Sequence, residues 1–284
     1  HRAVYLARKH QESRILLATF SEPLASALHQ KMRLLISGTP RMAERLEVQS
    51  LLGIGERLFA AKLGRLRLAS PQAVKQALLH ALAQSGQSVI PSLSAAFVES
   101  EWHQVIDAWQ VESWEEYRDL ARLGRKTKLP ENRRTAVWAL VEQARAQLRS
   151  QGLVTHAEMF TRLARHFETV EKQPFEYVVV DEAQDVSVAQ LRFLAALGSQ
   201  AGTPRPNCLF FAGDLGQRIF QLPFSWKSVG VDVRGRARIL HINYRTSHQI
   251  RAHADRLLGA EVADVDGNVE TRKGTISVFD GPSP

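Results

Sequence analysis

The chain has 284 residues, 44% hydrophobic and 23% charged, a length and balance that suit about two globular domains on the usual ~150-residue scale and exclude a disordered or fibrous protein. No apolar run reaches the roughly 18 residues of a membrane-spanning helix and no basic-then-apolar leader opens the chain, so the expectation is a soluble protein with no membrane contact. The formal charge of +8 rests on 37 basic residues, 28 of them arginine; the guanidinium fork suits phosphate oxygens, but charge alone leaves a polyanionic partner and plain solubility equally open.

A helical pattern of Val4, Leu6 and Ala7 among basic residues comes first. Residues 14–20 read as a buried strand, and Ser21 then caps a helix with Pro23 in its first turn and Leu24, Leu28 and Leu35 along one face. A short strand near 47–50 precedes a helical tract over 51–148, with Pro71, Pro91 and Pro130 as breaks. Four of the five tryptophans fall there. Trp102, Val105, Ile106 and Trp109 share one helical face, the spacing of a buried seam more than of base-stacking aromatics. Arg118, Arg122, Arg125, Lys126, Lys128, Arg133 and Arg134 surround a turn; a solvated basic face is the default reading, with nucleic-acid contact as the alternative. The segment 124–127 resembles a phosphate loop only superficially, since it lacks the earlier glycine and the preceding strand.

After Gly152 helix and apolar strand alternate: a helix over 156–167, a strand ending at Asp181, a helix over 188–197 and a strand ending at Asp214. Cys208, the single cysteine, sits in the apolar run of that last strand and reads as a small buried hydrophobe, which fits a reducing, cytoplasmic setting. Residues 237–245 alternate like a strand, Thr246 and Ser247 begin a helix to about 258, and 276–279 starts another strand. Strand-helix alternation makes the fold α/β with a parallel sheet, in which ligands bind beyond the carboxyl ends of the strands. Asp181 and Asp214 are therefore expected at one crevice; a simple turn after Gly213 is the competing reading for Asp214.

Four of the five residues before Asp181 are apolar or aromatic, and Glu182 follows it directly. Side chains of adjacent residues diverge, so one carboxylate can hold magnesium through water while the other is aimed at a water attacking a γ-phosphate. No G-x-x-x-x-G-K-[ST] phosphate loop occurs, although such a pair normally works opposite one. The expectation is a fragment, its first strand and phosphate loop lost ahead of His1, that hydrolyses essentially no ATP by itself.

Taken together, DEAQD at 181–185, GDLGQRIF at 213–220 and NYRT at 243–246 resemble superfamily 1 DNA helicases of the UvrD/Rep type, in the order and spacing of that family. The resemblance implies a RecA-like parallel sheet of the P-loop NTPase type, with an inserted all-helical subdomain and the start of a second RecA-like domain. Its boundaries are 1–52 and 151–234 for the first RecA-like domain, 53–150 for the insertion and 235–284 for the second. It implies ATP and Mg2+ as cofactors, Asp181 as the magnesium ligand, Glu182 as the base, Gln217 as a γ-phosphate sensor, Arg245 as an arginine finger and Tyr244 stacked on adenine. Thr19 and Phe20, in the run ATFS, match a segment that contacts single-stranded DNA; Ser50 matches a second, in which Leu52 replaces the usual histidine. Phe220 stands where an aromatic stacks on a base, while Leu222 and Pro223 replace the next aromatic and arginine, with Phe224 or Trp226 as candidate substitutes. Single-stranded DNA and single/double-strand junctions are the implied partners, with movement 3′ to 5′. Two other functions stay open: a metal-dependent nuclease using Asp181, Glu182, Asp185 and Asp214, which leaves Gln217 and Arg245 unexplained, and a non-catalytic DNA- or partner-binding module on a helicase scaffold.

Overall fold

The computed structural model describes residues 1–85, 93–120, 129–214, 224–233, 235–256, 261–263, 269–271 and 274–282. Helix α1 (Arg2–Lys9) leads into β1 (Ile15–Thr19), α2 (Glu22–Leu35), α3 (Pro40–Arg45), β2 (Leu46–Ser50) and α4 (Leu51–Lys62). Next come α5 (Pro71–Gln84), α6 (Ala95–Glu101), a π-turn at Trp102–Ile106, α7 (Asp107–Trp109), α8 (Trp114–Asp119), α9 (Glu131–Ser150) and α10 (His156–Glu168). Strand β3 (Tyr177–Val180), α11 (Val188–Leu197), the hairpin β4 (Ser199–Gln200) and β5 (Thr203–Pro204), and β6 (Leu209–Phe211) follow. The last stretch carries β7 (Ile242–Asn243), α12 (His248–Asp255), β8 (Glu261–Ala263), β9 (Val269–Thr271) and β10 (Ile276–Ser277).

Strands β2, β1, β3 and β6 form one sheet in that order, and every neighbouring pair is parallel. The central strands β1 and β3 read as continuous apolar runs because both faces are covered. With a side-chain period of two, Leu16, Ala18, Val178 and Val180 turn to a core shared with α4, α10 and α11. Ile15, Val179 and Leu46 turn the other way, against α1, Met32 of α2 and Met42 of α3.

Helices α5, α6, α8 and α9 enclose a second core around Trp102, Tyr117 and Trp138. Tyr117 stacks on Trp138 at 5.8 Å between ring centres, and its hydroxyl donates to buried Glu101 at 2.9 Å. Arg145 lies over Trp102 and Trp138 at 5.7 and 5.6 Å. Pro71 occupies the first turn of α5 and Pro130 the N-cap of α9, so both mark helix starts as expected; Pro91 lies outside the described residues.

The tryptophan seam is modified. Trp102, Val105 and Ile106 are buried in the second core, but the amide of Asp107 bonds to the carbonyl of Trp102 five residues back, which widens that turn and rotates Trp109 off the face. Trp109 instead packs against both cores, edge-on to Phe224 at 6.3 Å, while Arg192 of α11 donates to its carbonyl at 2.9 Å. Polar contacts flank this junction: Arg165 of α10 pairs with Glu112, and the Thr155 hydroxyl donates to Asp107 Oδ1 at 2.7 Å.

Other expectations shift at their ends. The strand expected to reach Asp214 stops at Phe211, and the chain continues as a loop over 212–214. Of the alternating run 237–245, only Ile242–Asn243 pairs, in parallel with Ile276–Ser277. The helix expected from Thr246 starts one residue after its Ser247 cap. No described helix is long and apolar enough to cross a membrane.

Two predictions follow from the junction. Trp109→Ala removes a partly exposed ring shared by both cores, so its cost falls below the ~3–5 kcal/mol of a fully buried aromatic, at about 2–3 kcal/mol; the shift of the urea midpoint measures it. Burial pushes the Asp107 carboxyl above the usual carboxylate range, against the lowering effects of Thr155 and Arg145. Protonated Asp107 therefore favours the folded state, and that contribution fades as pH rises from about 4, where the unfolded residue titrates, through the raised folded value. Asp107→Asn keeps Oδ1 as acceptor for Thr155 and Gln110, so melting from pH 4 to 7 should show the variant gaining on the wild type as pH rises.

Candidate functional site

All four parallel strands end at one edge. Thr19 lies opposite Ser50, and Val180 lies opposite both Ala18 and Phe211. The ladder continues past Val180 into the next turn: the Asp181 amide donates to the Ala18 carbonyl at 2.9 Å, Ala212 to Val180 at 2.8 Å and Ala183 to Ala212 at 2.9 Å. The DEAQ turn is thereby fixed between β1 and the loop after β6, and Asp181 and Asp214 leave adjacent strands at the same end.

Glu182 adopts a left-handed backbone, φ 54° and ψ 45°, strained for a residue with a Cβ. That reversal brings Glu182 and Gln184 face to face, and Gln184 Nε2 donates to Glu182 Oε2 at 2.6 Å. The other end of the same amide, Oε1, accepts the Asp214 N–H at 3.1 Å. Gln184 is only 3% exposed. Beyond the turn, Ser187 and Gln190 close a reciprocal capping box that starts α11, the S-x-x-Q signature of a helix N-terminus.

Burial, and then the neighbouring Glu182 charge, hold the Asp181 carboxyl above the usual carboxylate range. A cation beside the pair would relieve both effects, so this donor set fits a magnesium held by one carboxylate and completed by water and phosphate oxygens. The hydroxyl of Thr19, fully buried at the same edge, has no hydrogen-bond partner among the described residues, and Phe20 beyond it is exposed. Ser50 is different. Its hydroxyl accepts the Gly53 amide at 2.9 Å as the cap of α4 and donates to Glu22, so the atom is engaged within the protein.

The structure groups Thr19, Asp181 and Glu182 at one strand edge; Tyr244 and Arg245 sit on a separate turn after β7. Asn243 Oδ1 accepts the amides of Arg245 and Thr246 at 2.8 and 3.2 Å, an Asx turn that presents both Tyr244 and Arg245 to solvent. No described hydrogen bond or ion pair joins that turn to Asp181 or Glu182. Gln217, Phe220, Leu222 and Pro223 lie outside the described residues. The two candidate substitutes further on, Phe224 and Trp226, are buried in the first core, which assigns them to packing and not to base stacking.

The nuclease reading loses its geometry, because among the described residues no three His, Cys, Asp or Glu side chains gather closely enough to hold a metal. Asp185 and Asp214 do not complete a ligand cluster with the DEAQ acids. Within the basic cluster, Arg134 is structural: it donates to the carbonyls of Tyr117, Leu120 and Leu129 and ties α8 to α9. Arg118 pairs with Asp119, and Arg122, Arg125, Lys126 and Lys128 lie outside the described residues. Cys208 is buried, donates weakly to the Gly198 and Arg205 carbonyls, and has its thiol pushed upward by burial; it behaves as the inert small hydrophobe expected.

Sequence reasoning passed over Gln184 and Gly213 as individual residues. The only signal for Gln184 was its place directly after the acidic pair, while Gly213 read as an ordinary turn former. A Cβ on Gly213 would lie 2.5 Å from Gln184 Oε1 and 3.0 Å from the Ala183 amide nitrogen. Gly213→Ala should therefore cost about 1–3 kcal/mol as overpacking that the backbone neighbours cannot relieve, read from thermal or urea unfolding.

One family model, the UvrD/REP helicase N-terminal domain, matches residues 1–226. A comparison with curated proteins finds no match. The matched span includes the whole parallel sheet, the DEAQ turn and the loop after β6, where three neighbouring strand ends and an acidic pair meet. The chain belongs to the UvrD/REP helicase family, with the RecA-like α/β fold that this implies and DNA helicase as its general function.

Proposed function

We propose that this chain supplies the central part of an ATP-dependent DNA translocase or helicase that moves along single-stranded DNA 3′ to 5′ and engages single/double-strand junctions. Residues 1–52 and 151–234 form the first RecA-like domain, 53–150 its inserted helical subdomain, and 235–284 the start of a second RecA-like domain. The observation that carries the reading is the DEAQ turn, with Asp181 and Glu182 at the carboxyl end of a parallel sheet, where α/β proteins bind their ligands.

In this reading Asp181 would hold magnesium, which supplies charge neutralisation on the β- and γ-phosphates. Glu182 accepts a proton from the attacking water, and its bond from Gln184 keeps the carboxylate oriented. Gln217 senses the γ-phosphate, and Tyr244 stacks on the adenine. Arg245 approaches from the second domain to stabilise charge on the transferring phosphoryl oxygens. Its solvent exposure in the Asx turn suits a residue that reaches its site only on domain closure, which makes hydrolysis depend on that closure. Thr19, Phe20, Ser50 and Phe220 form the DNA track. Buried Ser50 takes part through the backbone at the α4 cap, because its hydroxyl already bonds Glu22 and Gly53, whereas Phe20 offers a ring face on which bases stack at ~1–3 kcal/mol each.

The test is ATP turnover of the full-length protein with and without single-stranded DNA, beside Glu182→Gln. The wild type should be DNA-stimulated and the variant should lose roughly 10²- to 10⁴-fold in kcat while still binding ATP. Unchanged turnover in the variant would remove Glu182 as the base, and DNA cleavage without ATP would favour the nuclease reading.

A further inference from the structure

We propose that Gln184 is a positioning residue that ties the Glu182 carboxylate to the loop after β6, so that the orientation of the water-activating group and the placement of that loop are set together. The inference rests on the reading of Glu182 as the base.

A side-chain amide at 3% exposure is uncommon unless both of its ends are satisfied. Here they are satisfied by opposite chemistry: the NH2 group faces a carboxylate oxygen at 2.6 Å and the carbonyl faces an N–H at 3.1 Å. Rotating the amide by half a turn would set oxygen against oxygen and N–H against N–H, so the pairing admits a single orientation. The space is closed as well, because Gly213 approaches Gln184 so nearly that a Cβ there would meet Oε1 at 2.5 Å. The backbone joins the same two segments through Ala183 N–H to the Ala212 carbonyl at 2.9 Å.

Glu182 itself sits on a left-handed backbone that fixes where its side chain starts but leaves its rotatable bonds free. Gln184 is the described side chain that restrains its far end. On the other side, Asp214 opens the stretch that contains Gln217 and Phe220 in sequence. A shift of the Asp214 amide when DNA or nucleotide engages that stretch would therefore be passed through one amide to the carboxylate. Gln184 does not touch the reacting atoms; it acts through Glu182.

Two substitutions in the full-length protein separate its two bonds. Gln184→Ala removes both. Gln184→Glu keeps an oxygen facing the Asp214 N–H but replaces the donor to Glu182 by a like charge. Removing an outer-shell partner of this kind costs roughly 10- to 100-fold in activity, so both variants should lose that much in kcat with KM for ATP within about twofold of wild type, as expected for orientation lost without binding. Hydrogen exchange at the Asp214 amide should quicken in Gln184→Ala and stay slow in Gln184→Glu, and stimulation by single-stranded DNA should fall most in Gln184→Ala.

Wild-type kcat and wild-type Asp214 exchange in Gln184→Ala, alongside an inactive Glu182→Gln, would overturn the inference and leave the helicase reading standing. Full turnover in Glu182→Gln would instead remove the reading beneath it. Should Gln184→Ala melt below the assay temperature, Gln184→Glu decides alone: unchanged kcat overturns the tether, and reduced kcat with slow Asp214 exchange supports it.

Discussion

Backbone hydrogen bonds that carry the parallel ladder beyond the last residue of β3 hold the rest of the site in place. Asp181 bonds back to β1 and Ala183 bonds across to the loop after β6, so the acidic turn is anchored on two sides before any side chain contributes. Those bonds hold Glu182 in a left-handed conformation that costs about 1–3 kcal/mol, together with the Asp185 amide that donates to the Glu182 carbonyl at 3.1 Å and the Gln184 amide on its carboxylate. Because both faces of the sheet are covered, by α1, α2 and α3 on one side and α4, α10 and α11 on the other, the strands cannot shift register without moving every apolar side chain to the wrong face. The position of the acidic pair thus inherits the rigidity of the core.

The second core depends on a different device. Helices α5, α6, α8 and α9 bury three large aromatics among themselves and meet the sheet's helices mainly through Trp109 and its flanking polar contacts. Placing Trp109 there requires the π-turn, which converts a seam that would have been entirely internal into one whose last residue faces outward. The junction is therefore part apolar and part ionic. Arg192 bonds the last carbonyl of α7 and Arg165 pairs with Glu112, the residue just before the Ser113 cap of α8, while Asp107 is held between Thr155 and Gln110.

Buried polar groups at the strand ends divide into those whose needs are met inside the protein and those whose needs are not. Ser50 and Gln184 each satisfy two partners. Thr19 keeps a buried hydroxyl with no partner among the described residues at the edge where the parallel strands end, and Asp181 keeps a partly desolvated carboxyl beside a like charge. Both of the unmet groups lie where ligands bind in parallel α/β sheets, so the electrostatics of the fold and the functional reading of the motif point to the same edge.

Much of this was legible from the sequence alone. The apolar run before Asp181, the helix over 188–197 and the strand over 14–20 are written in local periodicity and capping, where each residue's preference depends on near neighbours, and the acidic pair followed by Gln217 and Arg245 carried the family by order and spacing. The sequence could not decide which strands are adjacent, that Trp109 leaves its seam, that Phe224 and Trp226 are core residues, or that the Ser50 hydroxyl is engaged by Glu22 from 28 residues away. Those outcomes, and the single Gln184 amide that holds Glu182 and reaches Asp214 30 residues further along the chain, depend on which segments pack side by side. Contacts between distant segments exist only once the sheet has closed, and no local pattern encodes them.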